Sequence, residues 1–252
     1  MRAERISETP RLAKLLGKVV LVAGASSGMG RATALAMADE GADLALVARR
    51  RPELDAVARE VEARGRRALV APADLADRLA ATEAVRAAVA HFGRLDIVIH
   101  AAGTNIPGRA LAVIDPTDWD SVIATNLTAA FNVTHAVLPT IRAQRDGLII
   151  YISSGAVQRP DVSGVAYQAT KHGQVGLAHG AMQEERVNGL RTTVLFPGLT
   201  DTPIVLKRPT PTPPEVMAKA LQPEDIAAAC VFVATLPPRA HVPELTLLPS
   251  AL

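Results

Sequence analysis

The stretch KVVLVAGASSGMG, residues 18–30, decides the fold of this chain. Its first part, KVVLVAG (18–24), is a continuous apolar run rich in β-branched residues, which is typical of a strand buried in a parallel sheet. Glycines stand at Gly24, Gly28 and Gly30, directly before a helical pattern. Glycine at these places lets a strand-to-helix turn approach a pyrophosphate, whose charge is favoured at a helix N-terminus. The stretch therefore predicts the first turn of a dinucleotide-binding unit.

The same turn allows two other interpretations. Residues 24–28 match Gly-x-Ser-x-Gly, the nucleophile elbow of hydrolases, and the strand–turn–helix context of that motif is present. However, the elbow needs earlier strands and an upstream His-Gly-Gly loop, whereas this turn follows the first strand. A tight turn that binds no ligand is the second alternative. For the dinucleotide hypothesis, the contact residues in the loop are Gly24, Ser26, Ser27, Gly28, Met29 and Gly30.

Apolar strand-like runs alternate with helical patterns through most of the chain. Such alternation predicts right-handed crossovers and an α/β fold with a doubly wound, Rossmann-type parallel sheet. Residues 1–11 predict a flexible tail, and residues 12–252 a single dinucleotide-binding and catalytic domain. Six strands are predicted, at 18–24, 42–48, 67–71, 95–101, 148–153 and 191–196. The helices between them are predicted at 30–40, 52–64, 77–91, 117–144 and 166–187.

The composition narrows the range of functions. The chain has 252 residues, of which 49% are hydrophobic, and its net charge of +2 predicts no nucleic-acid partner. No run approaches 18 apolar residues and the start lacks the apolar core of a signal peptide, so no membrane partner is predicted. The single cysteine, Cys230, excludes an internal disulfide and favours a cytoplasmic location. No histidine or cysteine spacing predicts a metal site.

The end of the second predicted strand indicates which dinucleotide binds. In NAD enzymes an acidic residue at this point holds the ribose 2′-hydroxyl, but here the strand runs into Arg49-Arg50-Arg51. A guanidinium can pair with a 2′-phosphate, so Arg49 predicts NADP(H), whereas Arg51 is expected to be a solvated loop charge. Asp74 and Leu75 follow the third strand as candidate adenine contacts. Asp74 is alternatively the N-cap of the next helix, and the sequence leaves both roles open.

A tyrosine and a lysine stand four residues apart in YQATK (167–171), so both side chains lie on one face of a predicted helix. A tyrosine hydroxyl titrates at about pH 10, too high to exchange protons readily at neutrality. A neighbouring ammonium and a nicotinamide cation favour the phenolate, which brings Tyr167 towards a working pKa. Ser154 ends the fifth strand and is placed to hold a substrate oxygen. An ordinary surface pair of Tyr167 and Lys171 is the alternative.

Several of these residues form a known combination with others further along the chain. Together they closely resemble the short-chain dehydrogenases/reductases, in Gly24-x3-Gly28-x-Gly30, Asn126, Ser154, Tyr167-x3-Lys171 and Pro197-Gly198-x3-Thr202. The resemblance covers residues 15–250, nearly the whole chain. The segments QPEDIAAAC (222–230) and PELTLLPSAL (243–252) are similar to the subgroup that contains 3-hydroxy acid and serine dehydrogenases. The closing strand with a Gly-Gly pair that is common in the family is expected to be absent.

The resemblance implies a role for each matching residue. Tyr167 is implied to be the general acid/base, and Lys171 to lower its pKa and to hold the nicotinamide ribose. Ser154 is implied to orient the substrate, and Asn126 to anchor a water that relays protons. Thr202 is implied to bond the nicotinamide amide. The remaining implied cofactor contacts are Asp74, Ala102, Gly103, Pro197 and Gly198.

The sequence therefore predicts an oxidoreductase that transfers a hydride between NADP(H) and a small carbonyl or alcohol substrate. A reductase of a 3-oxoacyl group on a carrier and a catalytically silent NADP(H)-binding sensor are the alternatives, since a fold does not specify a function. A homodimer or homotetramer is expected from the resemblance and from the prevalence of symmetric assemblies. A stripe on the helix at 166–187 is expected to pack either inside the chain or on a second subunit, and it consists of Ala169, Gly173, Gly176 and Gly180.

Polar residues at the edge of the predicted site have open roles. His100 stands where the family often has asparagine, and it is expected to be a neutral core residue with a hydrogen-bond partner. Arg159, Lys207 and Arg208 should border the substrate, although solvated loop charges are the expected outcome for all three. The proline-rich stretch RPTPTPP (208–214) is either a stiff surface loop or a flap over a ligand.

Overall fold

The computed structural model describes residues 13–251, so the predicted tail at residues 1–11 lies outside the described residues. Its core is a seven-stranded parallel sheet in the order β3-β2-β1-β4-β5-β6-β7, which confirms the predicted fold class. The strands are β1 (Val19–Ala23), β2 (Asp43–Ala48), β3 (Ala68–Pro72), β4 (Ile97–His100), β5 (Gly147–Ile152), β6 (Leu190–Pro197) and β7 (Glu244–Leu247). The α-helices are α1 (Gly28–Asp39), α2 (Arg51–Glu62), α3 (Arg78–Phe92), α4 (Pro116–Ile123), α5 (Ala129–Gln144), α6 (Val165–Glu185), α7 (Pro214–Met217) and α8 (Pro223–Ala234).

Two helical layers cover the sheet because successive side chains of each strand point to opposite faces. On β1, Val20 and Val22 face one layer, while Leu21 and Ala23 face the other. Helices α1, α2 and α8 form the first hydrophobic core with the sheet. Helices α3, α5 and α6 form the second. Both faces of the central strands are therefore buried, as the continuous apolar run in the sequence indicates.

The direction of the strand order reverses at β1, since β2 lies on one side of it and β4 on the other. In register, Ala23 pairs with both Val47 of β2 and His100 of β4, so the carboxyl ends of the three strands are level. Open α/β sheets bind ligands in the crevice at such a switch point. The loops that follow β1, β2 and β4 therefore set the position of the candidate site.

The structure differs from the sequence prediction in two elements. The helix predicted at 117–144 contains a π-helical turn, Ala124–Thr128, between α4 and α5. The sequence analysis did not predict a seventh strand, but β7 pairs in parallel with β6 at the edge of the sheet. The Gly-Gly pair is absent from this strand, as expected. The segment ELTL of β7 alternates exposed and half-buried residues, which suits an edge strand that packs on one face.

One helical stretch among the described residues, Pro116–Gln144, is long and apolar enough by composition to cross a membrane. Its most apolar window has a mean hydropathy of 1.2, and 44% of that window is buried inside the protein. Val133, Val137 and Ile141 of this stretch belong to the core beside the sheet. Its apolar character is therefore that of a core helix.

Candidate active site

A cleft of about 440 Å³ opens at the carboxyl ends of β1 and β4. Residues from the loops after β1, β2, β3 and β4 line it, together with residues of α6 and of the segment after β6. Most of the predicted cofactor contacts meet there. Those that line this cleft are Gly24, Ser26, Ser27, Gly28, Met29, Gly30, Arg49, Asp74, Leu75, Ala102, Gly103, Tyr167, Lys171 and Thr202.

The turn after β1 is built from backbone that leaves no room for side chains. Gly24 has a φ of +88°, and a Cβ at this position would lie 2.7 Å from the backbone nitrogen of Ala102. A Cβ at Gly30 would collide with the carbonyl group of Gly24. Helix α1 begins here with Ser27 as N-cap, and the Ser27 side chain makes no capping hydrogen bond. The first amide groups of α1 are therefore available to a phosphate group.

Two guanidinium groups border the part of the cleft next to the carboxyl end of β2. Arg49 is exposed, lines the cleft and forms no ion pair within the described residues. Arg50 also lines the cleft, donates to Ser26 Oγ at 3.2 Å and pairs with Glu53 at 2.8 Å. The sequence analysis missed Arg50, although its place beside Arg49 was a signal. Arg51 pairs with Asp55 at 3.6 Å and does not line the cleft, in agreement with the prediction of a solvated charge.

Asp74 does not cap helix α3, so that alternative was wrong. The N-cap of α3 is Asp77, whose carboxylate accepts from the backbone nitrogens of Leu79 and Ala80. The Asp74 carboxylate instead accepts from Ala76 N at 3.0 Å, in a turn that presents Asp74 to the cleft. Its predicted contact with adenine stays a prediction.

A second cavity, of about 320 Å³, adjoins the first. Tyr167 and Thr202 line both spaces, whereas Ser154, Pro197 and Gly198 line only the second. Ser154 lies two residues after the end of β5, and Tyr167 lies in the first turn of α6, so the two side chains come from neighbouring segments. Tyr167 is therefore placed between the two adjoining spaces.

The pKa of Tyr167 is raised from its usual value, mainly because the hydroxyl is buried. A hydrogen bond with the Ser154 side chain lowers this pKa, the Asp161 carboxylate raises it, and the Arg109 guanidinium lowers it. The Lys171 ammonium lies 5.6 Å from the centre of the Tyr167 ring. The cation that opposes the effect of burial on the hydroxyl is thus Arg109, which the sequence analysis did not identify.

Lys171 is buried, and backbone and amide oxygens hold its ammonium. Its Nζ donates to the Ile152 carbonyl at 2.8 Å and to Gln174 Oε1 at 3.1 Å. Burial lowers the pKa of Lys171 to about 7. The alternative that Tyr167 and Lys171 form an ordinary surface pair was wrong, because Lys171 is buried with its ammonium bonded inside the protein and Tyr167 is half-buried where the two cavities meet.

Asn126 lies in the π-turn and lines neither cavity. Its side chain accepts from Thr104 N at 2.7 Å and donates to Thr104 O at 3.0 Å and to Thr170 Oγ1 at 3.1 Å. Its carbonyl oxygen accepts from Gln174 Nε2 at 2.7 Å. Asn126 therefore reaches Lys171 through Gln174, and its predicted role as the anchor of a relay water stays a prediction.

Arg109 comes from the loop after β4 and is only 6% exposed. Its Nε donates to the Ile106 carbonyl at 2.9 Å, and its Nη2 donates to the Lys207 carbonyl. Within the described residues no carboxylate lies within ion-pair distance of Arg109. The residue lines the second cavity together with Arg159, Asp161 and Arg208. No motif marked Arg109 in the sequence, because its importance arises from contacts between distant segments.

The segment after β6 borders both spaces. Lys207 lines the first cleft and donates to Thr104 Oγ1 at 2.7 Å, and Arg208 lines the second and donates to Thr212 Oγ1 at 2.8 Å. Lys207 is exposed, in agreement with the predicted solvated charge, whereas Arg208 is half-buried. Arg159 is exposed at the rim of the second cavity. Of the proline-rich stretch 208–214, only Arg208 lines a cavity.

His100 and Tyr151 form a buried pair behind the site. His100 is neutral, since burial and the charge of Lys171 lower its pKa to about 3. The Tyr151 hydroxyl shares a 2.7 Å hydrogen bond with Thr134 Oγ1, and the His100 ring lies 6.2 Å from the Tyr151 ring. The prediction of a neutral core histidine is confirmed. The expected hydrogen-bond partner is not found among the described residues, and the ring packs against Tyr151 instead.

The chain is similar along most of its length to known oxidoreductases. The family model of the short chain dehydrogenases matches residues 18–211. An uncharacterized oxidoreductase of Staphylococcus epidermidis is 30% identical over 238 residues, which are 94% of this chain and 100% of the relative.

Two solved structures extend the similarity to three dimensions. A metagenomic short-chain oxidoreductase in complex with NADP is 32% identical, with a TM-score of 0.81 over 94% of this chain and 99% of that chain. A 3-ketoacyl-ACP reductase from Sinorhizobium meliloti is 31% identical, with a TM-score of 0.83 over 91% of this chain and 97% of that chain.

Proposed function

The chain belongs to the short chain dehydrogenase family, and on that premise we propose that it is an NADP(H)-dependent oxidoreductase of small carbonyl and alcohol substrates. The observation that carries the proposal is the position of Tyr167 between two adjoining spaces. Lys171 lies on the side of the first space and Ser154 on the side of the second. An acid–base hydroxyl thus stands where a cofactor and a substrate would meet.

The first cleft fits an NADP(H) molecule. The floor of the cleft at Gly24 and Gly30 is bare backbone, because a Cβ at either position would collide with neighbouring backbone atoms. The start of α1 offers uncapped amide groups to a pyrophosphate. Arg49 would hold the 2′-phosphate, and Thr202 would hold the nicotinamide amide. Bound there, the cofactor supplies or accepts the hydride of the reaction.

In this proposal the proton moves at the Tyr167 hydroxyl. In reduction Tyr167 donates its proton to the substrate oxygen, and in oxidation the phenolate accepts a proton from the alcohol. Ser154 holds the same substrate oxygen, and Lys171 holds the nicotinamide ribose. Because burial raises the pKa of Tyr167, the hydroxyl carries its proton at neutral pH, as proton donation in the reduction requires.

Two observations support NADP(H) over NAD(H). Strand β2 ends at Ala48 and is followed by Arg49 and Arg50, so no carboxylate of this run is available for a ribose diol. The second observation is the similarity to a metagenomic short-chain oxidoreductase that was crystallised with NADP. A guanidinium pairs with a phosphate through two parallel hydrogen bonds, which gives Arg49 a direct role in the preference.

A reductase of 3-oxoacyl groups on a carrier is the second candidate. The similarity to the Sinorhizobium meliloti 3-ketoacyl-ACP reductase favours it. The second cavity opens at the rim beside Arg159, where a long acyl chain or a carrier would approach. A catalytically silent sensor is less favoured, since such a protein has no need for Ser154, Tyr167 and Lys171 together.

The test is the oxidation of NADPH, followed by its absorbance, with a panel of ketones, aldehydes and 3-oxoacyl thioesters. We expect turnover with at least one small carbonyl compound and a lower rate with NADH. A strong preference for the thioester of a carrier would support the second candidate. Binding of NADPH without turnover on any member of the panel would contradict both and support a sensor.

A further inference from the structure

Gln174 connects two residues of the proposed active site. It lies one turn after Lys171 on α6 and is fully buried. Its Oε1 accepts a hydrogen bond from Lys171 Nζ at 3.1 Å, and its Nε2 donates to the Asn126 carbonyl oxygen at 2.7 Å. One carboxamide therefore spans the space between the ammonium and the π-turn.

The groups at both ends of Gln174 permit only one orientation of its amide. An ammonium has no acceptor and a carbonyl has no donor, so the amide oxygen must face Lys171 and the NH₂ group must face Asn126. The Ile152 carbonyl of β5 is the second acceptor of Lys171, at 2.8 Å. Thr104 and Thr170 hold the side chain of Asn126. Gln174 is thus fixed between partners that are themselves fixed.

We propose that Gln174 is a positioning residue that fixes the Lys171 ammonium and fills the space between Lys171 and the Asn126 carbonyl that a proton-relaying water would need. A carboxamide neither gives up nor takes up a proton near neutral pH, so it closes this side of Lys171 as a proton route. The proton of Tyr167 then exchanges with solvent through the second cavity, past Ser154. The inference rests on the proposed function, because it assigns Lys171 a role in that reaction.

Few other groups near Lys171 carry charge, which makes its neutral acceptors important. On α6, the ring centre of Tyr167 lies 5.6 Å from Lys171 Nζ. On β4, His100 is neutral. Among the described residues, β5 offers Lys171 Nζ the Ile152 carbonyl, and the π-turn reaches Lys171 through the Asn126 carbonyl that Gln174 binds. No carboxylate of the described chain lies within ion-pair distance of Lys171, so each lost hydrogen bond acts directly on the ammonium.

The test is the pKa of Lys171, measured by NMR titration of the cofactor-free protein with carbon-13 in its lysines. The chain has five lysines, and Lys171→Met assigns the signal. Gln174→Met keeps the volume but removes the acceptor, so the charged form loses stabilisation. We expect the pKa of Lys171 to fall further, by about one unit, which is tenfold in the protonation equilibrium.

Gln174→Glu retains an acceptor in either protonation state, so the pKa of Lys171 should stay at the wild-type value or rise. Gln144→Met is the matched control, because Gln144 also bridges backbone groups, those of Leu95, but has no contact with Lys171. An unchanged pKa in Gln174→Met overturns the proposal. If that variant does not fold, a fall in the pKa of Lys171 in Gln174→Glu overturns it instead.

Enzyme kinetics provide a second readout. Lys171 is active as the ammonium, so carbonyl reduction by Gln174→Met should lose activity at a lower pH than the wild type. If Gln174 had only a structural role, its replacement would lower the activity and leave the pH profile in place.

A solvent-isotope experiment tests the proton route in the wild type. Wild-type kcat should depend linearly on the deuterium fraction of the solvent, and a curved dependence would contradict the proposal that Gln174 closes the proton route at Lys171. If no carbonyl is reduced, the proposed function fails, while the NMR titration still decides the role of Gln174.

Discussion

The cleft after β1 and the cavity beside Ser154 share Tyr167 and Thr202 but are built from different material. The floor of the cleft is formed by backbone, with glycines at places where a side chain would collide. The cavity is lined by side chains of distant segments, among them the buried Arg109. Arg109 bonds to the Lys207 carbonyl, 98 residues away.

This difference decides how each region responds to change. A site made of backbone tolerates most substitutions that respect its glycines, because its donors are peptide groups that every residue carries. A site made of buried side chains depends on each member, since the loss of one leaves its partners without hydrogen bonds in a medium of low dielectric constant. Substitutions should therefore act on affinity in the cleft and on proton transfer beside the cavity.

Tyr167→Phe gives the largest effect that this comparison predicts. Removing the hydroxyl should lower turnover by about 10² to 10⁴, the usual contribution of a general acid/base, while NADPH affinity stays nearly unchanged. Steady-state kinetics and a fluorescence titration of NADPH separate the two quantities. Tyr151→Phe is the control, since among the described residues the Tyr151 hydroxyl bonds to Thr134 Oγ1, and neither residue lines a cavity. Near-normal turnover in Tyr167→Phe would refute the mechanism.

Arg49→Asp tests the cleft and should act on affinity alone. A carboxylate in place of the guanidinium repels a 2′-phosphate, so NADPH should bind about 10- to 100-fold more weakly, while NADH changes little. The ratio of Kd values for the two cofactors is the measurement. Arg51→Asp serves as the matched control, because Arg51 belongs to the same run but lies outside the cleft. A wild type that already prefers NADH would show that the assignment of NADP(H) is wrong.

The sequence predicted the backbone-built region far better than the side-chain-built region. The glycines of the turn after β1 act within seven residues of one another, so their spacing alone indicates the geometry. Helix and strand patterns likewise depend on neighbours and identified the first six strands. Gln174 and Arg109 have no local pattern, because their partners Asn126 and Lys207 are brought to them only by the completed fold. Cytoplasmic location and assembly stay predictions.

Arg109→Gln tests the side-chain-built region with a smaller effect. The Arg109 guanidinium lowers the pKa of Tyr167, so its removal raises that pKa and leaves less phenolate at any given pH. Alcohol oxidation, which needs the phenolate, should fall by roughly 3- to 10-fold near pH 8, and its rise with pH should begin later. Arg109→Lys should restore much of the profile, because it keeps the charge.

Asp161→Asn is the opposite control, since the Asp161 carboxylate raises the pKa of Tyr167. Its removal should shift the oxidation profile to lower pH. Profiles of kcat against pH for the three variants decide the point. If the profiles of Arg109→Gln and Asp161→Asn shifted in the same direction, loop geometry and not charge would control the pKa of Tyr167.

The smallest effect on the stability of the chain is expected from a substitution at Gly176, which lies on α6 and lines neither the cleft nor the cavity. The predicted stripe divides in the structure, because a Cβ at Gly173 would lie 2.7 Å from Leu127 Cδ2, whereas Gly176 and Gly180 have no atom within 4 Å of that position. Gly173→Leu should therefore destabilise the fold by overpacking, by about 1–3 kcal/mol. Gly176→Leu should leave the monomer as stable as before or raise its stability by up to about 1 kcal/mol, since leucine favours a helix more than glycine does.

If the open part of the stripe meets a second subunit, Gly176→Leu should split the assembly in light scattering while the subunits stay folded. A wild type that is monomeric at micromolar concentration would contradict the predicted oligomer, and an intact oligomer in Gly176→Leu would place its interface elsewhere.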